Sequence, residues 1–171
     1  FDSLPIHKMI YYQSYNNVTA DSLSIACDST GNERDCLGMT PLHIMACSSV
    51  QNIELYTLLI NKYPENLTTK DKWRALPLLY AVWGNAPNDI VQFLVESYQT
   101  LYPDFKLNWT DMLVALGEAS VGLDVIQNLL DIRKNFFPGQ HILWGVVLDK
   151  PNWEHYNEGM RRGMEPETFL F

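Results

Sequence analysis

The fold of this chain is decided by residues 35–43, which read DCLGMTPLH. This stretch joins a turn signal, in which Gly38 is free to take a positive φ, directly to the start of a helix. Thr40 is a favoured N-cap residue, and Pro41 occupies the first helical position, where its missing N–H removes no hydrogen bond. We therefore expect a tight turn followed at once by a short helix.

The start of this helix is echoed twice in the chain. Residues 4–7 read LPIH and residues 76–79 read LPLL, so the three prolines stand at positions 5, 41 and 77, two equal steps apart. A fixed period of this length is typical of repeat proteins, in which small helical units stack and cover each other's apolar faces. Such arrays bind partners on an extended surface and need no enclosed catalytic pocket.

The apolar pattern predicts an all-α fold of paired helices. In the unit over residues 35–69, Leu42, Met45 and Ala46 mark the buried stripe of the first helix. The second helix, over 53–60, ends at Tyr63 because a residue that precedes proline is pushed out of the α region. The other predicted helices lie at 4–12, 20–27, 76–83, 89–98, 111–116 (capped by Thr110), from about 125 to near 137, at 142–148 and at 152–162.

These helices predict one elongated domain over residues 1–171. No unit can bury its apolar stripe alone, so each must pack on its neighbours. The last residues either dock on the final groove or insert as a hydrophobic hook into another subunit. The predicted boundaries are 1–34, 35–69, 70–104 and 105–139 for four repeats, 140–163 for a divergent capping unit and 164–171 for a tail.

Residues 35–46, together with the pair Leu58-Leu59, resemble the ankyrin repeat. The signature of that family is a β-turn, the sequence Thr-Pro-Leu-His at the start of the first helix and a Leu-Leu pair in the second helix. The resemblance covers about Leu4 to Pro138 and implies a solenoid of stacked helix-turn-helix units. It also implies that a protein partner binds the concave face formed by the turn tips and the first helices.

Several positions depart from the family pattern. Leu4 and Leu76 replace the capping threonine, and each loses a cap that is worth on the order of 1 kcal/mol. Arg74 stands where Gly38 stands in the preceding unit, so that turn must be strained or of a different type. Leu79 replaces the histidine and removes a side-chain link to the neighbouring turn.

The resemblance places the candidate binding surface on the turn tips and on the exposed edges of the first helices. Leu37, Trp73 and Trp109 recur at the repeat period and are expected to form an apolar ladder along one edge. The alternative is that the tryptophans fold back and fill the spaces between repeats. Exposed Trp, Tyr and Arg are the usual constituents of a binding hot spot. The predicted partner-binding residues are Leu37, Met39, Ile44, Trp73, Arg74, Tyr80, Trp83 and Trp109.

Composition excludes several classes of function. The chain has 171 residues and is 47% apolar, so it can bury a core. Its net charge is −8. Its adjacent basic pairs are only Arg133-Lys134 and Arg161-Arg162, which argues against nucleic-acid binding. No apolar stretch reaches the roughly 20 residues that a membrane span needs. No nucleophile elbow or phosphate-binding loop occurs, so we expect neither an enzyme nor a cofactor.

Cysteine usage bears on metal binding and on the compartment. Cys36, His43 and Cys47 could supply three zinc ligands, but a fourth is missing and the signature histidine has a structural role, so no metal site is expected. Three cysteines cannot all pair, and as reduced thiols they favour the cytoplasm or nucleus, with an organelle as the alternative. Glycosylation acceptor triplets instead point towards secretion. They begin at Asn17, Asn66 and Asn108.

These observations predict an intracellular protein-interaction module, an adaptor or scaffold with a protein partner whose identity the sequence does not specify. Two alternatives stay open at this level. The chain is either a permanent structural subunit of a larger assembly, or the regulatory domain of a longer multidomain protein. A start at Phe1 without a methionine is compatible with the latter.

Overall fold

The computed structural model describes residues 3–13 and 17–149. Within these residues the chain forms helices and no β-strand, so the all-α prediction is confirmed. The predicted helix over 152–162 and the predicted tail over 164–171 lie outside the described residues. The helices are α1 (Pro5–Tyr11), α2 (Ala20–Ser29), α3 (Pro41–Cys47), α4 (Ile53–Lys62), α5 (Pro77–Trp83), α6 (Asn88–Leu101), α7 (Trp109–Glu118), α8 (Leu123–Phe136) and α9 (Trp144–Leu148), with a 3-10 turn at Pro64–Leu67.

The chain divides into two compact units after Pro103, between the predicted repeats 70–104 and 105–139. In the first unit the odd-numbered helices pack in succession, α1 on α3 and α3 on α5, and the even-numbered helices do the same, α2 on α4 and α4 on α6. Each odd-numbered helix also packs on the even-numbered helix that follows it. In the second unit, α7 packs on α8 and on α9. The expectation of one domain over 1–171 stays a prediction.

The core of the first unit consists of the predicted apolar stripes. Leu42 and Met45 of α3 and Leu55 and Leu59 of α4 are buried, whereas Leu58 is only half-buried. Burying one such side chain stabilises the fold by about 1.5–3 kcal/mol, which exceeds the value of a helix cap. Packing of the stripes therefore dominates the stability of each helix pair.

The N-cap of α5 shows how this balance works. Leu76 is the N-cap of α5 and makes no side-chain cap hydrogen bond, as the sequence predicted. Its own side chain is buried, however, and that burial offsets a lost cap of about 1 kcal/mol. By contrast, Thr40 at the equivalent position of α3 forms a capping box with His43.

The turn over residues 35–39 is held by one carboxylate. Asp35 Oδ1 accepts the backbone N–H groups of Leu37 and Met39, both at 2.8 Å. The Asp35 N–H donates to the Met39 carbonyl at 3.0 Å, and the Gly38 N–H donates to the Asp35 carbonyl at 2.9 Å. Gly38 takes a φ of 76°, as the sequence predicted. This turn leads directly into α3.

The turn over residues 71–75 repeats that geometry. Asp71 Oδ1 accepts the N–H groups of Trp73 and Ala75 at 2.9 Å, and the backbone bonds match those of the preceding turn. Arg74, in the place of Gly38, takes a φ of 65°. Of the two outcomes predicted for this position, strain is therefore the one that holds, at a cost on the order of 1–3 kcal/mol.

Candidate functional site

Four of the predicted partner-binding residues lie together on the turn over 71–75 and on the helix that follows it. Trp73 is 59% exposed and Trp83 is 45% exposed. Arg74 is exposed as well, and Tyr80 of α5 is half-buried. We call Trp73, Arg74, Tyr80 and Trp83 the aromatic surface. Its large exposed rings set it apart from the buried stripes of the same unit.

One carboxylate ties the turn and α5 of this surface together. Asp71 Oδ1 holds the Trp73 and Ala75 N–H groups, and its Oδ2 accepts the Tyr80 hydroxyl at 2.5 Å. Burial raises the pKa of Tyr80, and the hydrogen bond to Asp71 raises it further, so the hydroxyl stays a donor at neutral pH. The Tyr80 ring stacks on Trp83, with ring centroids 6.1 Å apart and planes inclined by 16°. The surface is thus preorganised through Asp71.

Cations flank the exposed indole. The Lys72 ammonium lies 4.3 Å from the centroid of the Trp73 ring, a cation–π distance. Lys70, Lys72 and Arg74 are all exposed. Adjacent basic pairs alone do not reveal Lys70 and Lys72, because the three cations alternate with Asp71 and Trp73. The density of cations over residues 70–74 is the sequence signal that identifies Lys70 and Lys72.

Three of the predicted binding residues are not exposed. Met39, Ile44 and Trp109 are buried, so the prediction that their side chains face solvent is wrong. Ile44 is covered because α3 packs between α1 and α5. Leu37, the first member of the predicted ladder, is half-buried. Its carbonyl accepts the Lys72 N–H at 2.9 Å, which joins the two turns.

Trp109, the last member of the predicted ladder, belongs to the interior of the second unit. It is 1% exposed and lies in the first turn of α7 rather than at a turn tip. Its Nε1 donates to Gln140 Oε1 at 2.7 Å, and its ring lies 5.4 Å from that of Phe137. The alternative in which the tryptophans fold back therefore holds for Trp109 and fails for Trp73.

The start of α7 also differs from the prediction. Asn108 is the N-cap, and its side chain accepts the Asp111 N–H at 3.0 Å. Thr110, the predicted cap, is buried, and its Oγ1 accepts the Leu143 N–H at 3.0 Å. Thr110 thus links α7 to the segment that precedes α9.

His43, the residue that invited a metal or catalytic interpretation, has a structural role. Its Nδ1 accepts the backbone N–H of Thr40 at 3.1 Å, and its Nε2 lies 3.1 Å from the Ala75 carbonyl. Burial lowers the pKa of His43 from its ordinary value of 6.5, so the ring is neutral and Nε2 carries the proton that it donates to Ala75. His7 Nε2 makes the equivalent bond to the Met39 carbonyl at 2.8 Å.

The described residues also bear on the other predicted sites. They contain no group of three or more His, Cys, Asp or Glu side chains that could hold a metal ion. Asn66 of the second glycosylation triplet is fully buried and contacts Asn32, so it is inaccessible in the folded chain. None of the helices in this part of the chain has the length and hydrophobicity that crossing a bilayer requires.

Comparisons with known proteins found no match for this chain, neither among protein-family models nor among curated proteins nor among solved structures.

Proposed function

We propose that this chain is a protein-interaction module whose first unit binds a protein partner through the aromatic surface. The observation that carries the proposal is the pair of exposed indoles, Trp73 and Trp83, beside Tyr80 and Arg74. Residues of these types supply most of the binding energy in protein interfaces. Tyr80 is held by its hydrogen bond to Asp71 and Trp83 stacks on it, while Lys72 contacts the Trp73 ring. These contacts exist before a partner arrives and lower the entropic cost of association.

We further infer that the helix pairs of the first unit are ankyrin-type repeats of a solenoid. Two features support this inference besides the sequence signature. The turns that precede α3 and α5 have the same hydrogen-bond geometry, and each is contacted by a histidine from the preceding first helix. On this inference, Met39 and Ile44 lie beneath the binding face and support it without contacting the partner.

Binding fits the side-chain chemistry of this surface better than catalysis does. Asp71 and His43 are its obvious candidates for proton transfer, and both are buried and engaged in hydrogen bonds that hold the turn. The polar side-chain atoms of both residues are taken up by these internal bonds, whereas a catalytic acid or base must reach a proton of the substrate. We therefore propose no catalytic role for this surface.

The test replaces both exposed indoles. Trp73→Ala with Trp83→Ala is expected to leave helical content unchanged and the melting temperature within about 2 °C, because exposed side chains contribute little to stability. Proteins that cross-link to the wild-type chain and are identified by mass spectrometry should be lost. The matched control, Ile25→Ala with Leu101→Ala, removes two exposed apolar side chains from even-numbered helices. Cross-linked proteins that persist in the Trp double variant would contradict the proposal.

A second candidate function is that of a permanent structural subunit. Ile25 is 70% exposed on α2, and Tyr11 at the end of α1 is exposed too, so apolar area is available at the first helix pair. Light scattering on the purified chain tests this candidate, since a well-behaved monomer argues against obligate assembly. Loss of cross-linked proteins in the Ile25 and Leu101 control, but not in the Trp double variant, would favour it.

A further inference from the structure

Three cations stand next to Trp73 in the sequence of an otherwise acidic protein, and one of them, Lys72, contacts its indole. Lys70, Lys72 and Arg74 are three of the 12 Lys and Arg residues of the chain, whereas 20 Asp and Glu residues give a net charge of −8. All three cations are exposed. Within the described part of the chain, none of the three forms a salt bridge. The turn is thus a local positive face on a negative molecule.

The one acidic residue of this turn does not neutralise that face. Asp71 is buried, and its two oxygens accept hydrogen bonds from Trp73, Ala75 and Tyr80. Its carboxylate therefore faces the protein, while the cations on either side of it face solvent. Charges at a protein surface steer and select partners of opposite sign.

Backbone strain at Arg74 is a second, independent observation. The preceding turn has the same hydrogen bonds and places Gly38 at this position, so glycine is compatible with the geometry. Arg74 adopts the left-handed conformation nonetheless, with a φ of 65°. Strain of this kind concentrates at sites where function requires the side chain. The side chain that it retains here is a cation with a planar fork of donors, suited to carboxylates.

We infer that this turn binds an acidic segment of a protein partner. The inference rests on the proposed function and names the partner's chemistry. Carboxylates of the segment pair with Lys70, Lys72 and Arg74, and an apolar side chain packs on the Trp73 indole beside the Lys72 ammonium. An interface of this kind combines charge-assisted hydrogen bonds with one aromatic anchor.

The test is a selection of random peptides displayed on phage against the intact chain. Enriched peptides should carry several Asp or Glu residues around an apolar residue. A synthetic peptide of the enriched sequence should bind at least about tenfold more weakly to Lys72→Gln, Trp73→Ala and Arg74→Gly. Raising NaCl from about 50 to about 300 mM should weaken binding severalfold, because the contacts are ionic.

The variants separate binding from folding. Arg74→Gly relieves the left-handed strain, so its melting temperature should rise while its affinity falls. Arg74→Lys keeps the charge without the bidentate fork, and its affinity should fall less than that of Arg74→Gly. Lys62→Gln removes one cation from α4 and is expected to bind the peptide as the wild type does.

The possible results distinguish this inference from the proposed function. Neutral or basic peptides that still depend on Trp73 and Trp83 would overturn the acidic partner and leave the aromatic surface intact. Peptides that depend on neither the indoles nor the turn would overturn both, as would a library that yields no enriched peptide. Retention of a single-stranded oligonucleotide through Lys72 and Arg74, without enrichment of acidic peptides, would replace the protein partner by a nucleic acid.

Discussion

At the scale of single residues, Trp73 and Trp109 show how the same side chain takes two roles at one repeat period. Trp109 has a hydrogen-bond acceptor for its ring nitrogen in Gln140 and an aromatic neighbour in Phe137. Trp73 lies on a narrow turn, where the Lys72 ammonium contacts its ring. A buried indole stabilises the fold, and an exposed one is available to a partner.

This difference predicts opposite effects on stability. Trp109→Ala is expected to lower the free energy of unfolding by about 3–5 kcal/mol, because it leaves a cavity and removes one of the two hydrogen bonds that Gln140 Oε1 accepts. Trp73→Ala is expected to change it by no more than about 0.5 kcal/mol. Urea unfolding followed by circular dichroism measures both. Equal losses in the two variants would show that Trp73 is part of the core.

His43 predicts a pH dependence of stability. Its pKa is lower in the folded chain than in the unfolded chain, because burial disfavours the charged ring. The unfolded chain therefore binds the proton more tightly, and stability rises with pH through this window. The contribution of His43 is complete above its ordinary pKa of 6.5 and declines as the pH falls below that value towards the lowered pKa.

The measurement compares the wild type with His43→Leu. Leucine is the residue that occupies the equivalent position, 79, of α5. At about pH 7.5 the variant should be less stable by about 1 kcal/mol, since it loses the bonds to Thr40 and Ala75. At about pH 5.5 the difference should shrink, because protonation already destabilises the wild type. A constant difference across this range would contradict the neutral, buried ring.

At the scale of elements, helix starts decide most of the local structure. The prolines at 5, 41 and 77 are the first residues of α1, α3 and α5. Pro41 stands at the predicted start of α3, whereas α1 and α5 begin one residue after their predicted starts. Proline is favoured at the first helical position because its missing N–H is not needed there. This preference is local, so it indicates the starts of these three helices without knowledge of the tertiary fold. α7 has no proline, and there the cap alone sets the start.

The cap of α7 gives a test at this scale. Asn108→Ala is expected to lower the free energy of unfolding by about 1 kcal/mol, because the Asp111 N–H loses its acceptor. Asn108→Ser keeps an acceptor oxygen for that N–H and is an equally favoured N-cap residue, so it should retain most of the stability that Asn108→Ala loses. Urea unfolding measures both. An unchanged Asn108→Ala would reassign the cap.

The residues whose burial or role was predicted wrongly share one physical cause. Asn108 and Thr110 are both good N-cap residues, and only the Leu143 N–H, which lies far along the chain, draws the Thr110 hydroxyl away. Ile44 is buried on a helix that packs on α1, α4 and α5, and these long-range contacts leave no signal in the local sequence. Local chemistry thus predicted the turns, the starts of the helices that begin with proline to within one residue, and the exposed Trp73. Long-range contacts instead determine the positions of Ile44, Thr110 and Trp109.

At the scale of the whole molecule, charge repulsion opposes folding. The chain has 20 Asp and Glu residues against 12 Lys and Arg residues, a net charge of −8 and a pI of about 4.8, so repulsion among the excess carboxylates acts against the compact state. Raising NaCl from about 20 to about 200 mM at pH 7.5 should raise the melting temperature by a few degrees. The same change near pH 5, where the net charge is close to zero, should have little effect. A melting temperature that falls with salt at pH 7.5 would mean that favourable ion pairs dominate.

The paired turns have a consequence for how such a chain can change. Asp35 and Asp71 hold their turns through main-chain N–H groups, and these bonds depend on nothing in the side chains at positions 37 and 73. Leucine and tryptophan consequently occupy equivalent places without altering the loop. Substitutions at these two positions, by evolution or by grafting, can therefore change which partner the turns bind, while the helices beneath keep their sequence and their packing.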